Sequence, residues 1–255
     1  MRRMPVVLLV CFALLLALPT VSDCAEITDT ELIRCCRAGA AEELKGVLRR
    51  GAENVNEALN WDGLTPMMLV AREADNPELI TAAAEAGADI NGRDDDRRTP
   101  LMYSLMKKSI PLVVGSILDA GAKVNDADSE GMTAMMYLMV FKFDFEVLEM
   151  FVDDGANVNA KSRDGRTAMM YAAEKVMDPD VFAYLVDSGA DVSIRDKKGR
   201  TVMSYAAQYT KNPAVISRLV DLGASGSAPD KDGKRAKDYA KENKALKGSD
   251  VLNLL

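Results

Sequence analysis

The chain has no histidine in 255 residues. That removes the commonest general base, every Ser-His-Asp or Cys-His arrangement and all histidine-ligated metal sites. Cysteine is nearly as scarce, with four in the whole chain. Cys11 lies in the first apolar run, which leaves Cys24, Cys35 and Cys36. So few cysteines cannot form a disulfide framework, and the core must be held by packing. Aromatic residues are 5% of the chain, with a single tryptophan. Ala, Leu, Val and Met supply the apolar bulk, which favours small, closely approaching helices over a large β-core. The Asn-x-Ser/Thr acceptor is also missing, as in many bacterial exported proteins.

The one long apolar run, Val6 to Leu18, has 13 residues. A membrane span needs about 20. With Arg2 and Arg3 ahead of it, the run reads as a secretory signal peptide over 1–24. Small residues suit cleavage before Ala25 or before Asp23, and both sites stay open. Asp23 before Cys24 is a poor fit to a lipoprotein cleavage box. The expectation is a periplasmic or secreted protein without stable membrane insertion after signal cleavage.

The net charge of −7 argues against nucleic-acid binding. Its distribution is uneven: residues 26–160 carry 13 basic and 25 acidic side chains, and residues 161–255 carry 17 and 13. The front is acidic and the rear mildly basic.

What the chain does have is a repeat. Thr65, Thr99, Thr133, Thr167 and Thr201 are each 34 residues apart, with Arg235 at the next place. They sit in G-L-T-P-M-M, R-R-T-P-L-M, G-M-T-A-M-M, G-R-T-A-M-M and G-R-T-V-M-S. A second marker keeps the same period at Gly87-Ala88-Asp89-Ile90-Asn91, Gly121-Ala122, Gly155-Ala156 and Gly189-Ala190, and is degraded at Gly223-Ala224. A third is Pro77, Pro111, Pro179 and Pro213, with Phe145 in the remaining slot. Three markers in register over five copies establish the repeat.

Each marker has a physical job. A threonine hydroxyl can cap a helix, worth roughly 1 kcal/mol, and proline is tolerated at the first helical position. Asn76-Pro77, Asp178-Pro179 and Asn212-Pro213 open a second helix by the same device. Ile110 before Pro111 cannot cap, so a looser junction is expected there. The glycine of each Gly-Ala pair closes the second helix in a left-handed conformation. Helices of about ten residues are marginal alone and persist only by stacking on neighbouring copies. The Asp-, Asn- and Gly-rich segments between copies read as protruding turns or short hairpins.

These residues resemble the ankyrin family, whose repeat runs through G-x-T-P-L-H-x-A-A and then G-A-D-V-N. The resemblance covers residues 28–255 and implies an all-α solenoid of seven units: an N-terminal capping repeat over 25–59, five repeats over 60–229 and a C-terminal capping repeat over 230–255. Ser249 is expected to start a last apolar helix. This chain departs from the pattern by one extra residue between the two helices. It also has Met68, Met102, Met136, Met170 and then Ser204 where the family has a histidine that ties hairpin to helix. Packing is expected to replace that tie. Thr30 to Cys36 aligns with T-P-L-H-x-A-A, which makes Cys35 and Cys36 small core residues. A bridge from Cys24 to either stays open.

No catalytic, cofactor or metal site is expected. Asp94-Asp95-Asp96 lacks the ligand spacing of a calcium loop and reads as solvated. The methionine column places sulfurs roughly 8–10 Å apart, too far for shared ligation of copper. Tyr103, Tyr137, Tyr171, Tyr205 and Tyr239 form a ladder with Leu69 at its first rung, read as mostly framework.

The resemblance implies function as a non-catalytic protein–protein interaction module, expected to be a monomer. Partners of such proteins meet the hairpin tips and the exposed side of the first helix. Carried over position by position, the tips are Trp61, Leu64, Asp95, Asp96, Arg98, Met132, Arg163, Arg166, Lys197, Lys198 and Arg200. The helix side offers Arg72, Glu73, Lys107, Val140, Phe141, Lys175 and Tyr209. Trp61 is either an open anchor or packed locally on its hairpin. Two other functions remain in view: a secreted effector binding host proteins, and a metal-handling or hydrolytic envelope protein.

Overall fold

A computed structural model describes residues 27–176 and 178–255. The expected signal peptide and Cys24 lie outside the described residues. Thirteen α-helices and no strand occur among the described residues. They come as pairs: α1 (Asp29–Ala38) and α2 (Ala41–Arg50), α3 (Pro66–Glu73) and α4 (Pro77–Glu85), α5 (Pro100–Lys107) and α6 (Pro111–Asp119). Then follow α7 (Ala134–Val140) and α8 (Phe145–Asp153), α9 (Ala168–Lys175) and α10 (Asp180–Asp187), α11 (Val202–Tyr209) and α12 (Pro213–Asp221). The last pair is incomplete. After α13 (Ala236–Glu242) only two 3-10 turns remain, Lys244–Leu246 and Asp250–Asn253. Ser249 makes no side-chain cap to the second of these, so the expected closing helix is a single tight turn.

Each first helix packs on the first helix of the next pair, and from α3 onward these contacts are more extensive than those between second helices. Crowding along one side and splay along the other curve the stack, with the first helices inside. The apolar faces form one continuous core from Ile27 to Val251. Met68, Met102, Met136 and Met170 are fully buried within it, as flexible filler. Cys35 and Cys36 are buried in α1, as their alignment implies.

The caps are only partly those expected. Thr65 and Thr99, each followed by proline, accept from the Met68 and Met102 amides at 3.4 Å. The side chains of Thr133, Thr167 and Thr201, followed by Ala or Val, do not accept such a bond. In two of these the same amide bonds the threonine carbonyl instead, Met170 to Thr167 and Ser204 to Thr201, each at 3.0 Å. A tightened first turn therefore does the work assigned to the hydroxyl. Asn76, Asp144, Asp178 and Asn212 all accept main-chain amides at the start of second helices. Ile110 makes no side-chain cap. At the other end, Gly87, Gly121, Gly155, Gly189 and Gly223 all have positive φ. The following alanine amide reaches back to close the helix, as in Ala156 to Phe151 at 2.8 Å.

An asparagine row staples the pairs together. Asn91 donates to the Gly121 carbonyl at 3.0 Å and accepts from the Lys123 amide at 2.9 Å. Asn56, Asn125 and Asn159 each make the same two bonds to the following unit. Ser193 takes the next place, and its hydroxyl turns instead to Asp191 two residues back.

Candidate interaction surface

The segments between pairs are hairpin turns rather than strands; a single isolated bridge joins Ala127 and Thr133. Each turn closes on itself, as Asp128 N–H to the Met132 carbonyl at 3.0 Å and Asp196 N–H to the Arg200 carbonyl at 3.0 Å. Each is also bonded to the next turn. The Asp95 amide donates to the Asp62 carbonyl at 3.3 Å, Ser129 to Asp96 at 2.7 Å, Arg163 to Glu130 at 2.6 Å, Lys197 to Asp164 at 2.8 Å and Lys231 to Lys198 at 2.9 Å. The tips thus form one continuous edge in register. A side chain at Gly131 would put Cβ 2.9 Å from the Arg163 amide nitrogen, and its φ of 72° also favours glycine.

Beneath the edge runs a ladder in which the tyrosines hold the turns. Tyr103 donates to Asp94 at 2.7 Å, Tyr137 to Asp128 at 2.8 Å and Tyr205 to Asp196 at 2.7 Å, and Tyr239 donates to Asp230. The second carboxylate oxygen takes main-chain amides of the turn, such as Glu130 and Met132 on Asp128, both at 2.8 Å. All four carboxylates are buried. Burial would push the Asp196 carboxyl up, but the bonds from Tyr205 and from the Arg200 amide and guanidinium hold it below the usual range. Asp230 is likewise depressed against its burial, by Tyr239 and the Lys234 amide. Burial and the neighbouring carboxylates raise the phenols, Tyr239 to about 12.

Two expectations are corrected here. The tie between hairpin and helix is a Tyr–Asp hydrogen bond, not packing. Asp94 is not a solvated turn carboxylate; it is enclosed between Tyr103 and Arg98. The signal was available, because Asp94, Asp128, Asp196 and Asp230 keep the 34-residue period with Ser162 in the gap.

The residues carried over from the resemblance fall into three groups. Trp61 is 88% exposed on the first tip, which excludes local packing. Phe141 at the end of α7 is 50% exposed and stacks on Tyr137, and Tyr209 at the end of α11 is 40% exposed and stacks on Tyr205. Asp95, Asp96, Arg163, Lys175, Lys197 and Lys198 are also exposed.

A second group is tied into ion pairs. Arg72 and Lys107 both hold the buried Glu73, at 3.1 and 2.5 Å, and keep its carboxyl below the usual range despite burial. Arg98 and Arg200 pair with Asp94 and Asp196 four residues back, at 2.6 and 2.9 Å. Arg166 is largely enclosed; its guanidinium lies 3.9 Å from the centre of the Tyr171 ring and 4.4 Å from that of Tyr205. Met132 and Val140 are half-buried.

Leu64 forms the third. It is buried at 6% exposure under the first hairpin, where its amide bonds Asn60 at 3.2 Å. It is a core residue and offers no surface to a partner.

A family model for ankyrin repeats in three copies matches residues 32–128 and 105–196. The chain belongs to the ankyrin repeat family. No curated protein matches it. Ankyrin repeats are generally protein–protein interaction modules. No helix among the described residues is long and apolar enough to cross a membrane.

Proposed function

We propose that this ankyrin array is a non-catalytic binding module, exported to the periplasm or secreted, that captures another protein along its tips and concave first helices. The observation carrying this reading is the placement of Trp61, Phe141 and Tyr209. These large exposed aromatics stand at the variable positions of the repeat, while the periodic Tyr103, Tyr137, Tyr205 and Tyr239 behind them are buried framework. Exposed aromatic anchors on a rigid scaffold are the usual energetic centre of an interface. The array acts as a monomer with one continuous partner-facing edge.

The test is affinity capture from envelope and medium fractions with the wild type and a Trp61→Ala/Phe141→Ala/Tyr209→Ala variant. The variant should lose the captured protein while its helical content and melting are unchanged. Undiminished capture would place the partner on another face. Fractionation separates a periplasmic protein from a secreted effector acting on a host.

A further inference from the structure

The ladder has one missing carboxylate. Ser162 stands where Asp94, Asp128, Asp196 and Asp230 stand in the other rungs. Its Oγ is 3.4 Å from the Tyr171 hydroxyl, at the limit of a hydrogen bond, whereas the Tyr103, Tyr137 and Tyr205 bonds are 2.7–2.8 Å. Tyr171 is correspondingly the one ladder tyrosine that is not buried.

The loss also strands an arginine. Arg98 and Arg200 bond the rung aspartate through Nε. Arg166 has no such aspartate; it turns one terminal nitrogen to Glu174 at 2.5 Å, and its buried Nε has no acceptor among the described residues. Glu174 is itself shared with Lys175 at 3.1 Å, so two cations face one anion. On the adjoining tips Lys197, Lys198 and Lys231 form no ion pair among the described residues, unlike Arg163, which is held by Glu130 at 2.7 Å. A buried guanidinium nitrogen without a partner is costly and is relieved by an incoming acceptor.

Building on the protein-binding reading, we infer that the notch at Ser162, Arg166 and Tyr171 receives a carboxylate side chain of an acidic partner segment, whose further acidic residues run along Lys197, Lys198 and Lys231. The arriving carboxylate takes the place the sequence has vacated, accepting from Arg166 and from the Tyr171 hydroxyl. The front of the array cannot do this, because its rungs carry their own aspartates and its tips expose Asp95 and Asp96.

The probe is a fluorescein-labelled hexaglutamate peptide, with hexaglutamine of the same length as control, titrated by anisotropy against the wild type, Ser162→Asp and Arg166→Gln. Ser162→Asp restores the rung, so it should raise the melting temperature while weakening hexaglutamate at least tenfold. Arg166→Gln should weaken it comparably, and hexaglutamine should not bind. Gained stability together with lost binding separates a vacated site from general damage. Unchanged hexaglutamate binding by Ser162→Asp would overturn the notch, as would equal binding of hexaglutamine or equal competition by a thymidine oligonucleotide. The capture assay keeps the two readings distinct. A protein held by the wild type and equally by Ser162→Asp leaves protein binding standing without the acidic notch, and no captured protein at all removes the broader reading.

Discussion

Tyr205 donates its phenolic hydrogen to Asp196, nine residues before it, at 2.7 Å, and so fastens a hairpin to the helix that follows. The same bond recurs at three other rungs and is strained to 3.4 Å only at Tyr171 and Ser162.

Removing the hydroxyl should therefore matter at some rungs and not at others. Tyr205→Phe should cost about 1.5 kcal/mol, the low end for a bond to a charged group, because Asp196 keeps its other donors. Tyr171→Phe should stay within about 0.5 kcal/mol. Urea unfolding of the two variants measures the difference, and equal losses would refute the ladder as a source of stability.

The ladder also sets a pH dependence. The Asp196 and Asp230 carboxyls titrate below their unfolded values, so the folded state releases these protons more readily than the unfolded one. Their stabilisation is complete above the unfolded value of about 3.9 and is lost as pH falls through the folded values. Asp196→Asn/Asp230→Asn should melt lower than the wild type at about pH 7 but lose less on going from about pH 5 to about pH 3. Thermal melts followed by circular dichroism across that range check the crossing.

Arg97 occupies the turn position held by Gly63, Gly131, Gly165, Gly199 and Gly233, with φ of 62°. A side chain in the left-handed region costs roughly 1–2 kcal/mol. Arg97→Gly should raise stability by about 1 kcal/mol, and Gly131→Ala should lower it by more, because its Cβ meets the next hairpin's backbone. Chemical denaturation of both variants should give shifts of opposite sign.

Burial pushes the Cys36 thiol up to about 12 and raises Cys35 as well. At about pH 8 neither should carry appreciable thiolate in the folded protein. Iodoacetamide should leave both unmodified under native conditions and label them in denaturant, as read by peptide mass spectrometry.

Much of this architecture was legible from spacing. The 34-residue threonine period, the Gly-Ala pairs and the prolines located the helix starts and ends, because caps and left-handed closures depend on one or two local residues. What depended on contacts between units was harder to read. Asp94 looked like part of an acidic surface run, and only the three-dimensional return of Tyr103 makes it a buried anchor. Leu64 shares a repeat position with Arg98 and Arg166, yet hydrophobicity turns it inward. Arg166 falls at a tip position in the sequence, but the two rings it lies against come from the first helices of neighbouring pairs, α9 and α11. Trp61 could not be assigned to core or surface by sequence, since both outcomes are common for a lone tryptophan.

The asparagine staples run from Asn56 through Asn159 and end where Ser193 bonds within its own turn. The stack accordingly has a seam. Ahead of it an asparagine grips each following unit, while behind it the side-chain grip passes to Arg195, which donates to the Pro229 carbonyl at 2.8 Å, and to Asn243, which donates to the Ala207 and Thr210 carbonyls at 3.1 and 2.9 Å. The interruption therefore changes the residue that fastens neighbouring units without leaving the rear of the stack unfastened.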